Sequence, residues 1–246
     1  MTVRKVAAIY DVHGNLPALE AVLAEVEREQ PDVVVFGGDL AAGWYPAETL
    51  ARIRQVPRAR FVSGNCDRVM VELFDGKREA DHELTDFAAR RIERGDRDFL
   101  AGFEPAVEVD VEGLGPVLFC HATPTSDSDV LTPLTPDAET AAALAGAPPV
   151  VVYGHIHVQG DRLVGGHRLV NAGAVGLSYG HSAAGWALLG PDVDLRRTAY
   201  DFDTAVPKLA AAPGWPGAAQ WAERLRRPPS EEEALREFEA MRRAPA

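Results

Sequence analysis

Five short segments of this chain carry residues that could do chemistry. Between them they offer three aspartates, two asparagines and four histidines. Carboxylate, amide and imidazole ligands suit borderline divalent ions such as manganese, iron, cobalt, nickel or zinc. Each segment follows a short apolar run, and the ends of neighbouring strands are where α/β proteins gather their ligands. The segments are Asp11-Val12-His13-Gly14-Asn15, Gly37-Gly38-Asp39, Gly64-Asn65-Cys66-Asp67, His121-Ala122 and Gly154-His155-Ile156-His157.

The spacing within two segments indicates how their side chains point. Asp11 and His13 are two residues apart, and so are His155 and His157. In extended backbone such residues project to the same face, so the spacing predicts that each pair binds one ion. The glycines beside them allow sharp turns that would bring these ligands close to a substrate.

The order of the motifs resembles that of a known enzyme superfamily. Asp-x-His, Gly-Asp, Gly-Asn-x-Asp, His and Gly-His-x-His follow one another between residues 11 and 157. This order is similar to that of the calcineurin-like metallophosphoesterases. The segment 171–176 resembles the corresponding turn of their small prokaryotic phosphodiesterase branch. One motif alone is weak evidence, whereas five in order make a strong signal.

The resemblance implies a site with two divalent metal ions, with manganese preferred and iron, nickel, zinc or cobalt as alternatives. Asp39 would bridge the two ions through its two carboxylate oxygens. The ligands of the first ion would be Asp11, His13 and His157. The ligands of the second ion would be Asn65, His121 and His155.

The same resemblance assigns catalytic roles to Asp39, Asn65 and His121, and substrate contacts to Asn65, Cys66 and His121. Cys66 stands where the commonest form of the motif has a histidine, which in many relatives can protonate the leaving group. Cysteine also occurs there in the small prokaryotic branch, so the change does not imply inactivity. Losing a general acid slows a reaction roughly 10²–10⁴-fold, most of all for poor leaving groups. We therefore expect activated aryl phosphodiesters to be hydrolysed faster than alkyl esters.

The apolar pattern predicts the elements that must position these residues. In the first half, strands at 3–10, 33–36 and 61–62 alternate with helices at 16–29 and 47–54, which is typical of a layered α/β sheet. Later strands are predicted at 107–111, 117–120, 150–153, 162–164, 167–170, 185–189 and 194–200. The pattern favours two sheets packed face to face, a β-sandwich flanked by helices. The resemblance makes this the four-layer αββα metallophosphoesterase fold.

Two units are expected along the chain. Residues 1–200 would form the metallophosphoesterase domain, and residues 201–246 a C-terminal helical extension packed on it. Ser230 and Glu233 form a capping box that predicts a helix over residues 231–243. Trp215 and Trp221 would anchor the extension. The charged segment 81–100 is interpreted as a helical surface cap with a solvated face.

Composition excludes several function classes. With 25 basic and 37 acidic residues among 246, the net charge is −12, which argues against a surface that grips extended nucleic acid. Two cysteines are too few for a disulfide framework, and no signal peptide or membrane span is indicated. We expect a cytoplasmic protein with no membrane partner and leave a homo-oligomer open.

The function favoured by these observations is hydrolysis of small phosphodiesters or phosphomonoesters by a dinuclear metal centre, through attack of a metal-activated hydroxide. One alternative is a serine/threonine-type protein phosphatase or a small-molecule phosphatase. Another is a non-catalytic interaction scaffold on the same fold, which the complete ligand set disfavours. The natural substrate, the native metals, the preference for diesters or monoesters and the general acid stay open.

Overall fold

The computed structural model describes residues 2–212, 214–215 and 217–243. The two predicted units therefore include residues that lie outside this description, namely 1, 213, 216 and 244–246. The strands of the described residues are β1 (Val6–Ile9), β2 (Val33–Phe36), β3 (Ala59–Phe61), β4 (Ala106–Val111), β5 (Gly115–Cys120), β6 (Val150–Tyr153), β7 (Gly160–Val164), β8 (His167–Asn171), β9 (Ala184–Leu189) and β10 (Val193–Thr198).

Helices connect and cover these strands. The first begins at a predicted position, where the Asn15 side chain accepts a hydrogen bond from the Ala18 backbone N–H, as an N-cap residue does. The helices of the described residues are α1 (Leu16–Glu29), α2 (Pro46–Ile53), α3 (Asn65–Phe74), α4 (Glu83–Ala89), α5 (Arg94–Leu100), α6 (Asp137–Ala143), α7 (Phe202–Ala210), α8 (Ala218–Arg226) and α9 (Glu231–Arg243).

The strands form two mixed sheets. The first has the order β10-β9-β1-β2-β3, with β1, β2 and β3 parallel, and the second has the order β4-β5-β6-β8-β7, with β5, β6 and β8 parallel. Parallel neighbours end at the same edge of a sheet. The loops after β1, β2, β5 and β6 therefore start from the carboxyl ends of parallel strands, where ligands are expected.

The alternation of side chains along the central strands builds four layers. On β1, Val6 and Ala8 face the second sheet, while Ala7 and Ile9 belong to the core under the helices of the first sheet. On β6, Val150 and Val152 face the first sheet, while Val151 contributes to an outer core that also contains Ala234 of α9. This period of two buries both faces of each sheet. The predicted αββα sandwich is confirmed.

The charged segment 81–100 differs from its prediction. It forms two helices, α4 and α5, instead of one, and the chain leaves helical geometry between them. Leu84, Phe87 and Leu100 are buried in the core of the first sheet, so the segment is not a surface cap. The many charged residues led to the prediction of a solvated segment. Apolar residues at helical spacing nevertheless form a buried stripe on the face opposite the charges.

The C-terminal helices pack against the rest of the described chain. Trp215 is buried, contacts the Trp44 and Phe87 rings, and donates a hydrogen bond from its indole N–H to Glu83, so its predicted anchoring role is confirmed. The division of the chain into units at residue 200 stays a prediction. Among the described residues, every helix is too short or too polar to span a bilayer.

Candidate metal centre

The predicted ligands come from both sheets and meet at one end of the sandwich. The loops after β1 and β2 carry ligands from the first sheet, and the loops after β5 and β6 carry ligands from the second. Asn65 is the first residue of α3, shortly after β3. The two sheets thus bring together residues more than a hundred positions apart in sequence. In chain order they are Asp11, His13, Asp39, Asn65, His121, His155 and His157.

Left-handed backbone is concentrated at this site. Five of the seven non-glycine residues with positive φ in the described chain are predicted ligands, with φ between 47° and 64°. Such conformations are uncommon and tend to persist where function requires them. Gly38, with φ of 99°, has a further constraint: a Cβ there would lie 2.6 Å from the His121 Nδ1 atom. The five are Asp11, His13, Asp39, His155 and His157.

This backbone corrects one prediction made from spacing. His155 and His157 do not lie in an extended strand, because both have left-handed φ values. Their donor atoms belong to different groups, contrary to the prediction that this pair faces one ion. Asp11 and His13 are left-handed as well, yet their side chains do join the same group.

Among the described residues, three groups of donor atoms are close enough to hold a metal ion, and two of them consist only of predicted ligands. In each group the candidate donor atoms lie within 4.8 Å of one another. The division agrees with the ligand sets implied by the resemblance, although that assignment stays a prediction. The first group contains Asp11, His13 and His157, and the second contains Asp39, His121 and His155.

Asp39 lies between the two groups. Its Oδ2 atom is 3.5 Å from His121 Nε2 and 3.9 Å from His13 Nε2. Its Oδ1 atom accepts a hydrogen bond from the Cys66 backbone N–H at 2.8 Å. Asp39 is therefore placed to contact both groups, and its role as a bridge between two ions stays a prediction.

Backbone carbonyls fix the orientation of three histidines. His13, His121 and His157 donate from Nδ1 to the carbonyls of Ala42, Gly37 and Leu177 at 3.1, 2.9 and 2.8 Å. A carbonyl can only accept, so the proton lies on Nδ1 and Nε2 keeps its lone pair in the neutral ring. Such outer hydrogen bonds set the tautomer of metal-binding histidines. Each of the three rings thus presents Nε2 to the cluster.

The cluster contains more acceptors than donors. Asp11 Oδ1 is buried without a hydrogen-bond partner, 3.3 Å from His157 Nε2, and the Nε2 atoms of His13 and His157 are 3.2 Å apart. Buried acceptors that face one another are unfavourable unless a cation or a proton lies between them. The donor set therefore fits divalent metal ions.

The pKa values of the four histidines divide into two pairs. Against the effect of burial, attraction to Asp39 raises the pKa of His121 to about 10, and attraction to Asp11 raises that of His157. Burial, followed by repulsion from a neighbouring histidine, lowers the pKa of His13 and lowers that of His155 to about 4, which keeps both rings neutral. Burial alone would raise the pKa of Asp39, but attraction to His121 outweighs it and the net pKa lies well below the usual range. Neutral imidazole and ionised carboxylate are the forms that ligate metals.

Asn65 and Cys66 complete the inner surface of the cluster. Asn65 Oδ1 is 3.1 Å from His121 Nε2, beside the second group. Cys66 Sγ lies within 4.8 Å of donor atoms of His13 and Asp39. Burial, reinforced by the nearby carboxylates, raises the pKa of the Cys66 thiol well above its usual value, so the thiol is protonated at neutral pH. Both residues therefore border the donor groups, and their contact with substrate stays a prediction.

Two residues that support the site were not assigned roles from the sequence. The Asp67 carboxylate accepts from the backbone N–H groups of Asp39, Leu40 and Gly64 at 2.8 to 3.1 Å, so it both holds the Asp39 loop and caps α3. Asn171 donates to the Gly154 carbonyl at 2.7 Å, which fixes the loop that leads to His155. The motif around each residue was visible, but its partners depend on the tertiary fold.

The fold and the donor cluster are those of a metallohydrolase. The family profile described as the calcineurin-like phosphoesterase superfamily domain matches residues 5–192, and the chain belongs to that superfamily. Its reaction class is accordingly the hydrolysis of phosphoric esters. No protein with a curated description matches this chain.

Solved structures share the fold at low sequence identity. A metallophosphoesterase from Sphaerobacter thermophilus is 22% identical, with a TM-score of 0.70 over 92% of this chain and 99% of that one. The hypothetical protein PH1004 from Pyrococcus horikoshii OT3 is 17% identical, with a TM-score of 0.73 over 92% and 98%. The phosphoesterase Yfce from E. coli is 20% identical, with a TM-score of 0.51 over 80% and 100%.

Proposed function

We propose that this protein is a dinuclear metal phosphoesterase that hydrolyses small phosphodiesters, and phosphomonoesters more slowly, in the cytoplasm. The observation that carries the proposal is a pair of adjoining donor groups in which Asp39 Oδ2 lies 3.9 Å from His13 Nε2 of the first group and 3.5 Å from His121 Nε2 of the second. Asp11 Oδ1 is buried beside them without a hydrogen-bond partner. Manganese is the proposed metal, because it prefers carboxylate and amide oxygens, and the site offers these beside its imidazole nitrogens.

The residues of the chain would divide the work as follows. Bound divalent ions would supply Lewis acidity and a water of lowered pKa. Asp11, His13 and His157 would hold the first ion. Asn65, His121 and His155 would hold the second. Asp39 would fix the distance between the two groups, since its Oδ1 accepts a hydrogen bond from the Cys66 N–H. The backbone carbonyls behind the rings would hold each Nε2 in place.

The N-terminus of α3 would favour an anionic substrate. This helix starts at Asn65, and the Cys66 N–H points at Asp39, so its first turn faces the cluster. Helix N-termini carry partial positive charge and stabilise phosphate groups. A small phosphate ester can therefore bind although the chain carries a net charge of −12. Extended nucleic acid is not part of the proposal.

Cys66 bears on the choice of substrate. Its thiol is protonated at neutral pH, but with a raised pKa it is a weak proton donor toward a leaving alkoxide. Good leaving groups need little protonation. We therefore expect aryl phosphodiesters to be hydrolysed roughly 10²–10⁴-fold faster than alkyl diesters. Equal rates on both classes would contradict this role for Cys66.

The test is a panel of metals and substrates. Protein stripped with chelator would be reloaded with manganese, nickel, zinc, iron or magnesium and assayed on bis(p-nitrophenyl) phosphate, p-nitrophenyl phosphate, cyclic nucleotides and phosphopeptides. Asp39→Asn should abolish hydrolysis. Asp194→Asn, at an exposed position on β10, is the matched control and should keep it. Persistent diester hydrolysis by the Asp39→Asn variant would refute the two-metal assignment, and a preference for phosphopeptides would favour a protein phosphatase.

A further inference from the structure

Two aromatic rings lie against the histidines of the candidate metal centre. The Phe238 ring, on α9, is 6.4 Å from the His155 ring between centroids, and the Tyr179 ring, on the loop before β9, is 5.8 Å from the His157 ring. The two aromatic rings contact each other edge to face at 6.1 Å and 86°. We call Tyr179 and Phe238 the aromatic wall. It is formed jointly by the sandwich and the C-terminal helices.

The wall is held in place from the side of α9. The residue after Phe238 is Glu239, which is buried and accepts hydrogen bonds from the hydroxyls of Thr132 and Thr135 at 2.5 and 3.2 Å. Ala234, one turn earlier, is buried in the outer core of the second sheet. Because residues on both sides of Phe238 are fixed, its ring has little freedom to leave the histidines.

The other half of the wall is held by α8 and the segment after it. The Gly180 N–H donates to the Pro229 carbonyl at 2.9 Å, which ties the Tyr179 loop to the extension. The Arg224 guanidinium lies 5.5 Å from the centre of the Tyr179 ring and donates to its hydroxyl at 3.4 Å. The Arg224 guanidinium also lies 5.5 Å from the centre of the Trp221 ring, so it links the Tyr179 loop to α8.

Core packing explains only part of this arrangement, because Tyr179 and Phe238 pack against the outer core of the second sheet and yet stay partly exposed. Tyr179 and Phe238 are only half-buried, and so is His155 beside them, whereas core aromatics such as Phe36 and Phe119 are fully buried. Aromatic rings beside a catalytic cluster, one face packed and the other accessible, can stack on a planar group of a ligand. The wall adjoins His155 and His157, whereas Cys66 joins the cluster through His13 and Asp39.

We propose that Tyr179 and Phe238 bind a planar aromatic or heteroaromatic ring on the ester arm that stays on the phosphate, and so determine substrate specificity. The inference rests on the proposed phosphoesterase function and adds the class of substrate. The leaving arm would lie toward Asn65 and Cys66, where the resemblance places the leaving group. Stacking of one ligand ring against the wall is worth roughly tenfold in binding, and because the two rings of the wall support each other, losing either should remove this gain.

The test keeps the leaving group constant. The manganese-loaded enzyme would be assayed on methyl p-nitrophenyl phosphate, phenyl p-nitrophenyl phosphate and the p-nitrophenyl ester of thymidine 5′-phosphate. We expect kcat/KM for the phenyl and thymidine esters to exceed that for the methyl ester roughly tenfold, mainly through KM. A preference for thymidine alone would overturn the stacking explanation, since phenyl offers the same planar face.

Variants locate the preference. Phe238→Leu keeps apolar volume but removes the ring, and it should reduce the phenyl-to-methyl ratio roughly to one. Phe238→Tyr keeps the ring and should keep the ratio. Phe202→Leu, in α7 of the same extension and stacked only on Tyr200, is the matched control and should keep the ratio as well. An unchanged ratio in folded Phe238→Leu would overturn the proposal.

A binding measurement separates the wall from the chemistry. Calorimetry of the loaded enzyme with phenylphosphonate and methylphosphonate, which it cannot hydrolyse, should give a roughly tenfold tighter Kd for the phenyl compound, lost in Phe238→Leu. Equal Kd values in wild-type protein would refute the wall while leaving the phosphoesterase function intact. Absence of hydrolysis of every ester with every metal would refute the proposed function, and with it this inference.

Discussion

Two buried carboxylates in this molecule are balanced in opposite ways. Glu239 on α9 accepts from Thr132 and Thr135 and forms an ion pair with Arg242 at 2.9 Å, so the chain itself satisfies its charge. Asp11, in the strand-end cluster, accepts from the His155 backbone N–H through Oδ2 at 2.9 Å, but its Oδ1 atom has no hydrogen-bond partner and lies 3.3 Å from His157 Nε2.

The difference separates a site built for stability from a site built for a ligand. A buried charge that finds all its partners within the chain holds two elements together, here α9 and the loop after β5. A buried charge that lacks a partner must be completed by something from outside. Removing Glu239 should therefore affect stability first, and removing Asp11 should affect metal binding and hydrolysis first.

The largest expected effect is that of Asp11→Asn. We expect hydrolysis of bis(p-nitrophenyl) phosphate to fall at least ~10²–10³-fold, as when a charge-stabilising group is removed from an active site. Thermal stability in chelator should change less than hydrolysis, because the amide keeps the shape of the carboxylate and its oxygen can still accept from the His155 backbone N–H. A large loss of thermal stability with normal hydrolysis would contradict the role of Asp11 in ligand binding.

The complementary variant is Glu239→Gln. Urea unfolding should show a loss of about 1.5–3 kcal/mol, the range for hydrogen bonds to charged groups. Gln accepts through one oxygen and cannot pair with Arg242. The content of bound manganese should be unchanged, because Glu239 contacts no donor atom of the cluster. A loss of metal without a loss of stability would contradict this role.

Asp67→Asn should have an intermediate effect on activity. Asp67 is not a predicted metal ligand or substrate-binding residue, but its two oxygens accept from three backbone N–H groups that position Asp39. The Asn side chain of the variant would place its NH₂ group opposite at least one of these N–H groups, and two donors cannot form a hydrogen bond. We expect a 10- to 100-fold loss of metal affinity or activity, as is usual for outer-shell partners of metal ligands. Normal affinity for manganese in a calorimetric titration would argue against it.

The smallest effect is a pH dependence at the Glu239 anchor. The hydrogen bond from Arg242, against the opposing effect of burial and with help from Thr132, lowers the pKa of Glu239 from 4.5 to about 2. Its ionised form therefore stabilises the fold fully above pH 4.5, and this contribution is lost as the pH falls toward 2. The stability difference between wild type and Glu239→Gln should shrink between pH 5 and pH 3. A constant difference would contradict the lowered pKa.

The sequence predicted the elements with strong local patterns. Helix α9 begins and ends where the Ser230 capping box and the following pattern indicate, and β2 and β6 have the predicted bounds. The segment 81–100 was misjudged, because its charges are local whereas the core that buries Leu84 is distant in sequence. Local pattern is informative only where local and tertiary preferences agree.

The candidate site was predictable as a set of residues but not as a geometry. Ordered motifs predicted a ligand set whose members the structure brings together, yet the donor atoms of His155 and His157 belong to different groups, whereas an extended strand would have put them on one face. Phe238 contacts His155, and Glu239 contacts Thr132, although the residues of each pair are roughly 80 to 110 positions apart and no motif links them. Such contacts exist only once the sandwich has folded.

The most direct test of the account is the number of metal ions that the chain binds. Protein reloaded with manganese and freed of excess metal by gel filtration would be analysed by mass spectrometry of its metals, beside Asp39→Asn and Asp194→Asn. We predict two ions per chain in the wild type and in Asp194→Asn, and one or none in Asp39→Asn. Fewer than one ion in the wild type, or the same number in Asp39→Asn as in the wild type, would contradict a dinuclear centre built around Asp39.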